Sequence, residues 1–171
     1  MKTVATRFAP SPTGPLHIGG VRTALFNWLY SKNKGGKFYL RIEDTDKERS
    51  KDKFKNQIIN SLKWIGINYE DSEYIQSKKI DDHINVANEL LKKGLAYKCY
   101  CSSDEIEEQK KRAKQKKIPY IYNRKWRDKS ETDAPKEINP VIRFKSKVEG
   151  KSILKDLVQG NIEIENNTIE D

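Results

Sequence analysis

Three prolines and a glycine fall within the six residues Pro10-Ser11-Pro12-Thr13-Gly14-Pro15, and neither a helix nor a sheet ladder runs through such a stretch. Whatever lies on either side must therefore be separate elements joined by a stiff loop. Before it, Val4, Thr6 and Phe8 alternate with other residues as a short strand does. After it, from Gly19 onward, Val21, Ala24, Leu25, Trp28 and Leu29 recur at helical spacing, and Lys34-Gly35-Gly36 provides a cationic last turn and a glycine stop. Phe38, Leu40 and Ile42 then alternate as a second strand. Strand, helix and strand within about forty residues make one right-handed βαβ unit with parallel strands.

Helical spacing returns at Phe54, Ile58, Leu62 and Ile65, stopped by Gly66, and again at Ile80, Ile84, Ala87, Leu90 and Leu91, stopped by Gly94. The character changes after Tyr97-Lys98-Cys99-Tyr100-Cys101. A highly charged helix is predicted over 104–117, capped by Ser103, with its acids first and bases last as the helix dipole prefers. A polar linker over 128–140 follows, and Val141–Phe144 and Ile162–Ile164 read as short strands of an antiparallel appendage. Thr168-Ile169-Glu170-Asp171 offers neither a capped helix nor a charged tail, and only two parallel strands precede the appendage, so the chain is expected to be cut from a longer one.

Composition narrows the class of molecule. The 171 residues suit one domain, or one domain with an insertion. Charged residues make up 35% and the mean hydropathy is −0.90, so no stretch is expected to cross a bilayer. The N-terminus lacks the apolar run of a secretory signal, and the only cysteines, Cys99 and Cys101, stand too close in sequence to staple distant loops; a cytoplasmic protein is expected. With 34 basic and 25 acidic residues the net charge is +9, and the bases gather between Lys110 and Lys129. Such clustering suits a polyanionic partner, although a merely solvated lysine surface accounts equally well for charge alone.

The loop from Arg7 to Gly20 joins a strand to a helix, the place where α/β folds bind ligands. Gly19 and Gly20 would let a nucleotide approach the backbone, the exposed N–H groups and dipole of the helix start favour phosphate, and His17 would donate to it. Phosphoryl chemistry asks for such donors rather than a nucleophile, and with two histidines in the chain no Ser-His-Asp or Cys-His arrangement competes. The other histidine, His83, falls on the polar side of its helix and reads as surface.

Arg7-Phe8-Ala9-Pro10-Ser11-Pro12-Thr13-Gly14, His17-Ile18-Gly19-Gly20, Arg22-Thr23-Ala24-Leu25-Phe26-Asn27 and Arg41-Ile42-Glu43-Asp44-Thr45-Asp46 together closely resemble the N-terminal part of bacterial glutamyl-tRNA synthetases, class I enzymes that charge tRNA. The resemblance covers nearly the whole chain. The class I signature is often His-Ile-Gly-His; Gly20 stands here for its last histidine, as it commonly does in this family. The resemblance implies an α/β fold: the first half of a Rossmann-like catalytic domain over 1–96, and over 97–171 the start of a small α+β insertion that binds the tRNA acceptor end. It also implies that the glutamate carboxylate attacks the α-phosphate of ATP, with Mg2+ accompanying the nucleotide, before the glutamyl group passes to the 3′ end of tRNA(Glu). By position Arg7, Ala9, Ser11 and Glu43 would hold L-glutamate. ATP would be met by Pro10, Ser11, Pro12, Thr13, Gly14, His17, Gly19 and Gly20, with His17, Gly19 and Gly20 as the catalytic group. Arg7 offers a planar, permanently charged fork to a carboxylate, Ser11 a hydrogen bond, and Glu43 a partner for the ammonium; the alternative for Glu43 is a plain salt bridge to Arg41 or Arg7.

Asp44, Arg124, Lys125 and Arg127 are the expected tRNA contacts, with helix capping before Lys47 as the equal alternative for Asp44 and Asp46, and a small hydrophobic core as the alternative for Trp126 and its neighbouring tyrosines. Cys99 and Cys101 resemble the first two ligands of a zinc site found in some members, but Trp126 and Asp128 stand in the segment where the rest would fall, so no metal site is expected. Nothing in these residues resembles the second class I signature, Lys-Met-Ser-Lys-Ser. Three other readings remain: the related enzyme that attaches glutamate to queuosine in tRNA(Asp), a nucleotidylyltransferase with a similar histidine loop, and a non-catalytic tRNA-binding fragment. The first fits less well with Arg22–Asn27 and Asp44-Thr45-Asp46, and the second leaves Arg41–Asp46 unexplained. A monomer is expected.

Overall fold

A computed structural model describes residues 3–171. The chain forms two compact units, one ending at His83 and the other spanning Ile84–Asp171. In the first, β1 (Ala5–Phe8) and β2 (Lys37–Ile42) pair in parallel, Ala5 opposite Lys37 and Phe8 opposite Leu40, with α1 (Ile18–Asn33) crossing between them. Gly35 takes the left-handed backbone (φ +59°) that ends α1, as the Lys34-Gly35-Gly36 pattern requires. A short third strand, β3 (Tyr74–Ile75), extends the sheet on the far side of β2, also in parallel, giving the order β1-β2-β3.

Alternation along the strands sends Phe8, Phe38, Leu40 and Ile42 to one side, where they meet Ala24 of α1 and Ile58 and Leu62 of α2 (Asp52–Trp64) in one buried core with Ile67. Gly66 stops α2 with φ +77°. Burying these side chains contributes on the order of 1.5–3 kcal/mol apiece and is the main support of the unit. On α1 the buried stripe runs through Ala24 and Ser31, while Leu25, Phe26 and Leu29 face outward. The periodicity holds, but it covers both flanks of the helix, and the sheet takes only one.

α3 (Ile80–Lys92) ends at Gly94 as expected and buries no residue; Ile80, Ile84 and Val86 are exposed, and so is His83. In the second unit β4 (Ala96–Cys99) pairs antiparallel with β5 (Val141–Phe144), and β6 (Lys151–Asp156) forms a hairpin with β7 (Gly160–Glu165). The two expected appendage strands thus pair with partners of their own and not with each other. α4 (Ser103–Gln115) is capped one residue earlier than expected: Ser102 Oγ accepts from Glu105 N at 3.1 Å, which leaves Ser103 as the first helical residue. Among the described residues no helix is long and apolar enough to cross a membrane.

Candidate functional site

Two backbone bonds and one side chain fix the proline loop against the end of β2 and the start of α2. Glu43 N donates to Pro10 O at 3.0 Å, Lys51 N to Pro12 O at 3.0 Å, and Leu16 N to Gln57 Oε1 at 2.7 Å. Pro12 is buried beneath the loop, whereas Arg7, Ser11, Thr13, His17 and Gly19 are exposed and Ala9, Pro10, Gly14 and Gly20 lie half-buried. The result is a rigid shelf at the carboxyl ends of β1 and β2, which presents polar groups without needing to be ordered by a ligand.

His17 does more than line this shelf. It is the N-cap of α1: its Nδ1 accepts from Gly19 N at 3.2 Å, a role usually taken by Ser, Thr, Asp or Asn. A ring nitrogen that accepts carries no proton, so in the neutral ring the proton sits on Nε2 and the free edge of the imidazole is a donor. The first turn of α1 has no acidic residue, which leaves its positive dipole end for an outside anion. Gly19 is needed beside the ring, because a Cβ there would lie 3.0 Å from His17 Cε1 and 3.1 Å from Nδ1. At Gly20 a Cβ would meet Leu16 Cδ1 at 2.7 Å.

Beyond β2 the carboxylates divide by role. Glu43 is gripped by Arg41, which donates from Nε at 3.0 Å and also from Nη2. Arg7, Tyr39, Arg41 and Tyr74 share the face of the sheet opposite the core, where a groove of about 360 Å³ opens. Arg7 and the Arg41–Glu43 pair are thus products of the same strand alternation. Arg41 was not among the expected site residues; its signal was the two-residue spacing from Glu43. Asp44 accepts from Ser77 N at 2.9 Å and Ser77 Oγ at 2.6 Å, fastening the end of β2 to the 3-10 turn after β3. Burial disfavours its charge, but those two bonds hold its carboxyl below the usual aspartate range. Asp46 caps the turn that follows, accepting from Arg49 N at 3.1 Å. A cleft of about 320 Å³ lies beside Pro12 and Asp44 and carries Lys47, Lys51, Lys55 and Lys78; only the four-residue spacing of the first three hinted at it.

In the second unit two of the three expected cations, Arg124 and Arg127, turn inward. Asp171, whose side chain is fully buried, accepts from Arg127 Nη1 at 2.5 Å, Arg124 Nε at 3.3 Å, Ser146 Oγ at 2.7 Å and Tyr97 Oη at 3.0 Å. Burial works against the charged carboxylate, yet these partners bring it down to about 2. Lys125 pairs with Glu105 at 2.8 Å. Arg124 holds a left-handed backbone (φ +56°), which aims its side chain at the Asp171 segment. Tyr122 and Trp126 are buried with Tyr97 and Cys99, so they form the core of this unit.

The matched family model, described as the catalytic domain of class I tRNA synthetases (E and Q), covers residues 3–171, and the chain belongs to that family. It is 78% identical to the glutamate–tRNA ligase of Pelagibacter ubique (strain HTCC1062) over its whole length and 37% of that protein's, and 46% identical to glutamate–tRNA ligase 2 of Rhodospirillum centenum over 99% of the chain and 36% of the relative. Among solved structures it is similar to the glutamate tRNA ligase of Elizabethkingia meningosepticum in complex with its amino acid, with a TM-score of 0.83 and 33% identity over 99% of this chain and 38% of that one. The chain thus spans a little over a third of the length of these relatives.

Proposed function

We propose that this chain is the N-terminal part of a glutamate–tRNA ligase and carries the half of the active site that grips glutamate and the phosphates of ATP. The observation that carries the reading is the shelf itself: a histidine-capped helix start with a free imidazole donor, next to an exposed arginine and a guanidinium-held glutamate at the same ends of two parallel strands. Arg7 receives a carboxylate of glutamate, Ala9 and Ser11 flank it, and Glu43, oriented by Arg41, faces the ammonium. The α-carboxylate oxygen then attacks the α-phosphorus of ATP; the bond to the bridging oxygen breaks and pyrophosphate leaves with the electron pair. His17 Nε2 and the backbone of Pro10–Gly14, Gly19 and Gly20 donate to or line the phosphates and adenine, stabilising charge that grows in the transition state. Mg2+ accompanying the nucleotide offsets phosphate charge.

Residues 1–96 are the first half of the catalytic domain in this reading, and 97–171 begin an insertion for the acceptor end of tRNA(Glu). Asp44 stays a candidate contact beside the lysine cleft. Arg124 and Arg127 contribute by shaping the insertion around Asp171, and Lys125, more exposed, is the member of that trio free to exchange Glu105 for a phosphate. Glutamate-dependent ATP–pyrophosphate exchange by the full-length gene product, with tRNA present, tests the reading. Exchange specific for glutamate and lost in Arg7→Ala is expected; exchange with another amino acid, or full activity in Arg7→Ala, would refute it.

A further inference from the structure

Cys99, Cys101 and Tyr122 are set together in the second unit in a way that the proposed chemistry does not use. Tyr122 Oη lies 3.2 Å from Cys99 Sγ and 3.6 Å from Cys101 Sγ, and the Trp126 backbone N–H donates to the same oxygen at 3.4 Å. Two sulfurs and a phenol oxygen thus converge as three ligands of a tetrahedral ion would. The residues do not complete such a site. Trp126 gives its ring to an edge-on contact with Tyr100, centroids 5.1 Å apart, and Asp128 is 84% exposed and pairs with Lys145 at 3.5 Å.

A cation is nonetheless present. The β4–β5 register sets Arg143 opposite Tyr97, and two-residue alternation puts it on the same face as Cys99. Its guanidinium carbon lies 3.8 Å from the centre of the Tyr122 ring, closer than any other cation–ring contact in the described residues. Arg143 Nη1 donates to Asp171 O at 3.2 Å, while Nε is buried without a hydrogen-bond acceptor, so the face of the Tyr122 ring answers part of this charge. We infer that Arg143, stacked on the Tyr122 ring, supplies the positive charge that steadies the Cys99–Cys101–Tyr122 cluster where the ligand set for a structural metal ion is incomplete. The second unit therefore folds around a guanidinium clamp and needs no metal. This holds whether or not the chain activates glutamate.

The test is thermal unfolding of the purified chain followed by circular dichroism, with zinc content measured on the same sample. Substoichiometric zinc and a Tm unchanged by EDTA and 1,10-phenanthroline are expected. Stoichiometric zinc whose removal lowers Tm would overturn the inference, and this arm stands even where a variant fails to fold. In the second arm Arg143→Met lowers Tm and Arg143→Lys, which keeps the charge, recovers part of the loss. Unchanged Tm in Arg143→Met, or equal loss in both variants, would overturn it.

Discussion

His17 caps α1, and in the proposed reading the same ring serves the chemistry. Its Nδ1 closes the N-terminus of α1, which fixes the ring and puts the donor on its other edge. Gly19 leaves room for that arrangement, so Gly19→Ala, with its Cβ 3.0 Å from the ring, is expected to displace the imidazole. Exchange activity of the full-length protein should fall by about tenfold or more, the cost of one charge-assisted hydrogen bond, while Tm changes little. Equal activity in Gly19→Ala would separate the cap from the chemistry. Asp171 makes a different claim at the same scale. Its folded carboxyl titrates near 2, below the ordinary 3.8, so its contribution is fully present above about pH 4 and is lost as pH falls toward 2. That contribution is roughly 2 kcal/mol. Acid unfolding of wild type and Asp171→Asn, followed by tryptophan fluorescence, should show the two converge in stability below pH 3; a constant difference down to pH 2 would contradict the pairing.

At the level of elements, the parts that periodicity can carry were legible. The proline loop, α1, β2, α2 and their glycine stops follow from spacing and from Gly35 and Gly66, which need left-handed backbone. Short strands were not legible. β3 has two residues and exists only because β2 offers an open edge, and β4 and β6 take their strand state from partners far along the chain or across a hairpin. Of the site, the loop, Glu43 and its pairing with Arg41 two residues away could be read from residue types and spacing, but the turning of Arg124 and Arg127 onto Asp171 depends on tertiary contacts that local pattern does not encode. The α1–β2 junction offers a sharp test of element packing. A Cβ at Gly36 would lie 2.4 Å from Val4 O, a backbone atom that cannot step aside. Gly36→Ala should cost about 1–3 kcal/mol, read from urea unfolding, and an unchanged midpoint would mean that β1 and β2 do not meet as described.

Across the whole molecule, two compact units each bury a core of their own while broad apolar positions stay uncovered, among them Phe26, Leu29, Ile80, Ile84 and Leu157. A purely parallel sheet with one bare face is unusual, and the bare face here carries Arg7, Tyr39 and Arg41, side chains suited to a ligand. That face is the one to which the proposed reading assigns glutamate. The most direct measurement is calorimetric titration of the folded chain with a non-hydrolysable glutamyl-adenylate analogue, compared with Arg7→Ala. Saturable binding, weakened by about tenfold to a hundredfold in the variant as the loss of a charged carboxylate contact requires, is the predicted result. Binding of equal strength by the two proteins, or none by a chain shown to be folded, would contradict the assignment of the glutamate site to this shelf.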